Sequence, residues 1–194
     1  MIEYDDKNMQ QYVKAFKDEL GEFFTREDVL ALVDKNDFQT VYKVWFTIHE
    51  GSTGAPLTAM LILSVPEFIT YLNWLPSACF ESLPITKITI PSNIKQIYSS
   101  CFGYCRLLKE IIILDGCERI DGYAFSFCEE LRVLSIPKSI NFIGTTIARS
   151  SDLLQRIEYR GTKKNWASTK LHWQWDSDSN IHEIKFSDGT IQEI

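Results

Sequence analysis

Apolar residues in the second half of the chain return every 23 positions. Ile97, Ile120 and Ile143 share one register. Phe102 and Phe125 share another, with Ala148 in the third place. Cys105, Cys128 and Ser151 follow, then Leu108, Leu131 and Leu154. Two longer columns run Ile88, Ile111, Leu134, Ile157 and Ile90, Ile113, Ile136, Tyr159. Chance does not hold six columns in one register. A fixed period of this length marks a solenoid, in which each unit stacks on its neighbours because none can bury its apolar face alone.

Each unit holds one short strand, such as Ile111-Ile112-Ile113. Alternate side chains of a strand point to opposite faces. Ile111 and Ile113 are expected inside, so Glu110, Ile112 and Leu114 face outward, on what should be the concave side. Three outward columns follow: Lys87, Glu110, Val133, Arg156; Thr89, Ile112, Ser135, Glu158; and Pro91, Leu114, Pro137, Arg160. Ile112, Leu114 and Val133 form a small apolar patch. Lys87, Glu110, Arg156, Glu158 and Arg160 rim it. An apolar centre with a charged border is the pattern of a protein-binding surface. These eight residues are the candidate partner-binding site. Cover by the N-terminal module or by a second copy in a homodimer would hide the same patch.

Residues 1–79 lack the repeat. Met9, Tyr12, Val13, Phe16, Leu20 and Phe23 are spaced for an amphipathic helix. Thr25 caps a second helix over about 25–35. Val41 to His49 and Leu57 to Val65 read as strands around Gly51-Ser52-Thr53-Gly54, with a helix as the competing reading of the first. Pro66 opens a short helix to about Trp74. The expected fold class is therefore α/β: a short solenoid of parallel strands over 80–194, closed by a C-terminal cap, behind an α+β capping module over 1–79. Ile181 to Phe186 and Thr190 to Ile194 are expected to form a terminal hairpin around Asp188-Gly189. Trp166 is expected in the cap. Trp173 and Trp175 would share a face if that stretch is extended.

Several motifs resemble a known family. Ile136-Pro137-Lys138-Ser139-Ile140 and Ile90-Pro91-Ser92-Asn93-Ile94 resemble the BspA-type (treponemal) leucine-rich repeat. So does Asp121-Gly122-Tyr123-Ala124-Phe125-Ser126-Phe127-Cys128-Glu129-Glu130-Leu131. Tyr159 to Trp166 is similar to the closing segment of such arrays. The resemblance covers about residues 80–194. It implies a non-enzymatic, protein-binding solenoid of the kind found in bacterial surface proteins and phage-encoded proteins. It also places Cys105 and Cys128 at one repeat position that takes small buried residues. Stacking leaves a disulfide between them conceivable, with buried free thiols as the expectation.

Charge changes the picture in one respect. Residues 1–80 hold 12 Asp/Glu and 6 Lys/Arg, whereas residues 81–194 hold 14 of each. All the net charge of −6 therefore lies in the first part. That balance argues against nucleic acid as a partner, since phosphate binding needs a basic stripe. Hydrophobic residues at 45% argue against disorder. The five cysteines form no CxxC pair, so no metal site is expected. His49, His172 and His182 sit in no catalytic or ligand pattern. No phosphate-binding loop or nucleophile elbow is present. Neither catalytic residues nor a cofactor are expected.

Met1 to Asp6 is acidic, with no basic start to a signal peptide. The longest apolar run, Ala59 to Leu63, is too short to cross a bilayer. A cytoplasmic protein-binding module is the expected function. Its sharper form is a phage or mobile-element protein that inhibits a host defence protein. The alternative is a surface protein that binds extracellular protein or glycan.

Overall fold

A computed structural model describes residues 73–75, 77–83 and 85–194, together with the backbone of Ile2–Tyr4. Most of the expected N-terminal module lies outside the described residues, including its two helices and the strand pair around Gly51.

Among the described residues, five coils stack on one another. Each begins with a two-residue strand, turns, and returns as a longer strand. The short strands are β2 (Trp74–Leu75), β4 (Gln96–Ile97), β6 (Arg119–Ile120), β8 (Phe142–Ile143) and β10 (Lys170–Leu171). The longer ones are β3 (Ile85–Ile90), β5 (Glu110–Ile113), β7 (Val133–Pro137), β9 (Arg156–Arg160) and β11 (Glu183–Lys185). Two sheets result. One runs β10-β8-β6-β4-β2. The other runs β3-β5-β7-β9-β11 and is bordered by β1 (Ile2–Tyr4) and β12 (Ile191–Glu193). Pairing between coils is parallel, whereas β1 and β12 pair antiparallel to β3 and β11.

The register reproduces the columns of the sequence. Ile88 pairs with Ile111, Ile111 with Leu134, and Leu134 with Ile157. Ile97, Ile120 and Ile143 align in the sheet of two-residue strands. All of these side chains are fully buried between the two sheets. Each contributes roughly 1.5–3 kcal/mol by leaving water. Phe80, Phe102 and Phe125 stack through coils 1–3, with centroids 4.8 and 5.8 Å apart. Ala148 ends that stack in coil 4.

The turns between the sheets use left-handed backbone at recurring places. Ala78, Ser100, Tyr123 and Thr146 form one such column, and Ser82, Tyr104, Phe127 and Ser150 the other. None is glycine, so each carries a modest conformational cost, repeated in coils 1 to 4. Glycine is needed where coils touch instead. A Cβ on Gly144 would lie 2.5 Å from the backbone nitrogen of Gly122.

Coil 1 takes in Trp74, Leu75 and Cys79, which stand before residue 80. Trp74 lies in a strand paired with Gln96, not at the end of the helix expected to run from Pro66 to about Trp74; the rest of that expected element lies outside the described residues. In the last coil the spacing lengthens: Lys170 pairs with Phe142 and Ile184 with Ile157. The extra residues form α1 (Lys163–Ala167), the one helix among the described residues. Thr162 caps it, accepting the Asn165 N–H while the Asn165 side chain accepts the Thr162 N–H. Trp166 is thereby pinned against Tyr159 and Trp175, as a cap core. The terminal hairpin forms from β11 and β12 as expected.

Candidate interaction surface

The strand face of the longer-stranded sheet gathers all eight residues named from the sequence. Its first outward column is Lys87, Glu110, Val133, Arg156, continued by Glu183. The second is Thr89, Ile112, Ser135, Glu158, continued by Lys185. Leu114 follows β5, and Arg160 ends β9.

Val133 and Leu114 are 36% and 40% exposed, and Ile112 is half-buried between them. The patch is aliphatic. Its rim is already paired. Lys87 contacts Glu110 at 2.8 Å. Arg156 lies between Glu158 and Glu183, at 3.4 and 3.3 Å, and Lys185 contacts Glu158 at 3.3 Å. Exposed pairs of this kind contribute little stability. They do fix the rim's side chains and leave it close to neutral. Two expectations for this face are amended: Ser135 and Pro137 are buried rather than outward in solvent.

Arg160 explains the first of these. Its guanidinium folds back along the sheet. It donates to the Ser135 hydroxyl at 2.8 Å and to the Ile113 carbonyl, and Asp115 stands 3.8 Å away. Arg160 therefore crosses the whole width of β7 and borders the patch as a strap.

The opposite sheet holds a second polar arrangement that the sequence columns did not reveal. Arg119 lies over the Phe142 ring at 3.8 Å and meets Asp121 at 2.7 Å. Gln96 donates to the same carboxylate at 2.9 Å. These residues come from three coils, and only the two-residue strands bring them together. Trp173 is 80% exposed while Trp175 is buried, so the two do not share a face. The chain turns between them, with Trp175 N–H donating to the His172 carbonyl.

Cys101, Cys105, Cys117 and Cys128 are held as neutral thiols. All five are buried free thiols. Burial pushes Cys117 up to about 11 and Cys128 up to about 12, and raises Cys101 and Cys105 well above the ordinary thiol value. A neutral thiol is a poor nucleophile and a poor metal ligand. Among the described residues no group of His, Cys, Asp and Glu could hold a metal, and no helix is long and apolar enough to cross a membrane.

Residues 63–155 match the family model described as BspA type leucine rich repeat region, in six copies. One solved structure, the crystal structure of the pneumococcal vaccine antigen PcpA, is 21% identical with a TM-score of 0.43. The match covers 63% of this chain and 40% of that one. A comparison with curated proteins gives no match.

Proposed function

We propose that the chain is a non-enzymatic protein-binding module whose partner docks on the strand face, because residues 63–155 match the family model of the BspA type leucine rich repeat region. Repeats of this family are interaction scaffolds. One observation carries the choice of face: Leu114, Val133 and half-buried Ile112 stand together inside a rim whose charges pair with each other. A partner would gain by burying aliphatic surface there, at roughly 25 cal/mol per Å². It would meet no unpaired charge that must be stripped of water.

The test combines Ile112→Asp with Val133→Asp. Tagged wild type and double variant are used to capture partners from the source cell and its surroundings, and captured proteins are identified by mass spectrometry. The far-ultraviolet circular dichroism of the variant should match wild type, since both positions face away from the core. The partner held by wild type should be lost. Equal capture by both proteins rules out this face. Trp173→Asp, on another surface, should leave capture unchanged. An intracellular partner would fit an inhibitor of a host protein. Extracellular protein or glycan would fit a surface role.

A further inference from the structure

Among the described residues, the large exposed apolar side chains divide by type. On the short strands and the turns after them, as far as the second left-handed column, they are aromatic: Trp74, Tyr98, Tyr104, Tyr123 and Trp173. Elsewhere they are aliphatic: Leu114, Val133, Leu153, Ile191 and Ile194. The two sides of the solenoid therefore offer different chemistry. An aliphatic surface suits another aliphatic surface. A Tyr or Trp offers a flat apolar ring with a polar tip, which suits a ligand that alternates C–H faces with hydroxyls.

The residue after each short strand falls in one column: Tyr98, Asp121, Gly144 and His172. Backbone bonds fix it, with the Asp121, Gly144 and His172 N–H groups donating to Ile97, Ile120 and Ile143 at 2.9, 2.8 and 2.9 Å. Tyr98 and His172 are thus three coil steps of about 4.8 Å apart, or about 14 Å. Each end carries an aromatic ring. Trp173 is 80% exposed, yet its ring stacks on His172 with centroids 5.8 Å apart. His172 is itself held, since its Nδ1 accepts the Gln174 N–H at 3.2 Å. Between the ends, Arg119 Nε donates to Asp121 Oδ1 at 2.7 Å and Gln96 Nε2 to Oδ2 at 2.9 Å. The carboxylate is oriented and keeps acceptor sites on both oxygens. The Arg119 guanidinium rests on Phe142, and among the described residues only its Nε–H is hydrogen-bonded.

We propose that this side of the solenoid binds an oligosaccharide laid across the coils from Tyr98 to Trp173. The C–H faces of its sugar rings stack on the two aromatic ends. In the middle, its hydroxyls donate to the Asp121 carboxylate and accept from the terminal N–H groups of Arg119. Bonds of this kind to a charged group are the strong ones. A sugar hydroxyl both donates and accepts, so it can replace each water that it removes. An aliphatic partner surface cannot, and would leave Asp121 and Arg119 stripped of water without return. The groups that meet the ligand are already oriented by Gln96, Phe142 and His172, so little ordering is left for binding to accomplish. The site is separate from the strand face around Ile112 and Val133 and does not depend on it.

The full chain is applied to an array of immobilised oligosaccharides, covering polysaccharide fragments and protein-borne glycans. The best-retained oligosaccharide is then titrated in solution by calorimetry. At least one class should be retained, and which class it is tells the two sources apart. Trp173→Ala should weaken binding about fivefold to tenfold, and Trp173→Phe should restore it to within about threefold, because a ring is what the stack needs. Trp173 is on the surface, so both variants should melt with wild type. Asp121→Asn should weaken binding about tenfold. The Ile112→Asp, Val133→Asp protein should bind the sugar like wild type. An array that retains nothing would overturn the proposal. So would equal affinity of Trp173→Ala and wild type, or loss of the sugar from the strand-face double variant.

Discussion

The thiol of Cys128 donates to the carbonyl of Phe102, one coil earlier, at 3.2 Å. Cys105 makes the same bond to Phe80, and in coil 4 the Ser151 hydroxyl makes it to Phe125 at 2.8 Å. The position demands a small side chain with one proton to give. Size alone does not describe it.

Cys128→Ser should therefore fold normally and change stability by less than about 1 kcal/mol, because a hydroxyl repeats what Ser151 already does. Cys128→Val should cost roughly 1–3 kcal/mol, since it leaves the buried Phe102 carbonyl without that donor and adds a methyl group. Urea melts of the two variants distinguish them. Equal losses would show that volume is all the site requires.

Burial of these thiols couples stability to alkaline pH. Their folded values lie above the ordinary thiol value of 9.0, with Cys117 at about 11 and Cys128 at about 12. Above pH 9 the unfolded chain ionises its thiols while the folded chain keeps its protons. The unfolded state then binds fewer protons, and stability falls with rising pH. The thiol contribution is fully present below pH 9 and is lost progressively from there toward pH 12. Melts at pH 8 and pH 10.5 should show a smaller loss for Cys128→Ser than for wild type. Identical losses would remove the thiol from the explanation.

Gly144 makes a sharper demand than any core isoleucine. A methyl group there would meet the Gly122 nitrogen at 2.5 Å and the Asp121 carbonyl carbon at 2.8 Å. Both obstacles are backbone, so neither can rotate away. Gly144→Ala should cost roughly 2–4 kcal/mol, a fall of about 4–16 °C in thermal midpoint. Gly189→Ala, with nothing within 4 Å of its Cβ position but a φ of +86°, should cost only about 1 kcal/mol. A Gly144→Ala protein that melts with wild type would show that coils 3 and 4 can separate without penalty.

The columns were legible because stacking converts sequence spacing directly into contact. Ile88, Ile111, Leu134 and Ile157 needed only a period to be placed side by side. The outward face followed by alternation, and so did the gathering of Ile112, Leu114 and Val133. What escaped has specific causes. Strands of two residues, such as Arg119–Ile120, carry too little alternation to show an outward face, so the grouping of Arg119, Asp121, Gln96 and Phe142 was hidden. Arg160 belongs to one column by register, yet its long side chain reaches past β7 to β5. Ile2–Tyr4 joins the sheet from far away in sequence, outside any period. Trp173 and Trp175 were separated by a turn that the alternation argument cannot see.

The longer-stranded sheet is bounded on both sides by strands that run against the five between them. A parallel neighbour needs evenly spaced, slanted hydrogen bonds, whereas antiparallel pairs alternate close and wide spacing. A further coil arriving outside β1 or β12, with its strand running like the five, would pair antiparallel there rather than parallel as the coils do with each other. The array thus behaves like a ruler with stops at both ends of its scale. Between β3 and β11 the inner strands β5, β7 and β9 face their own kind on both sides.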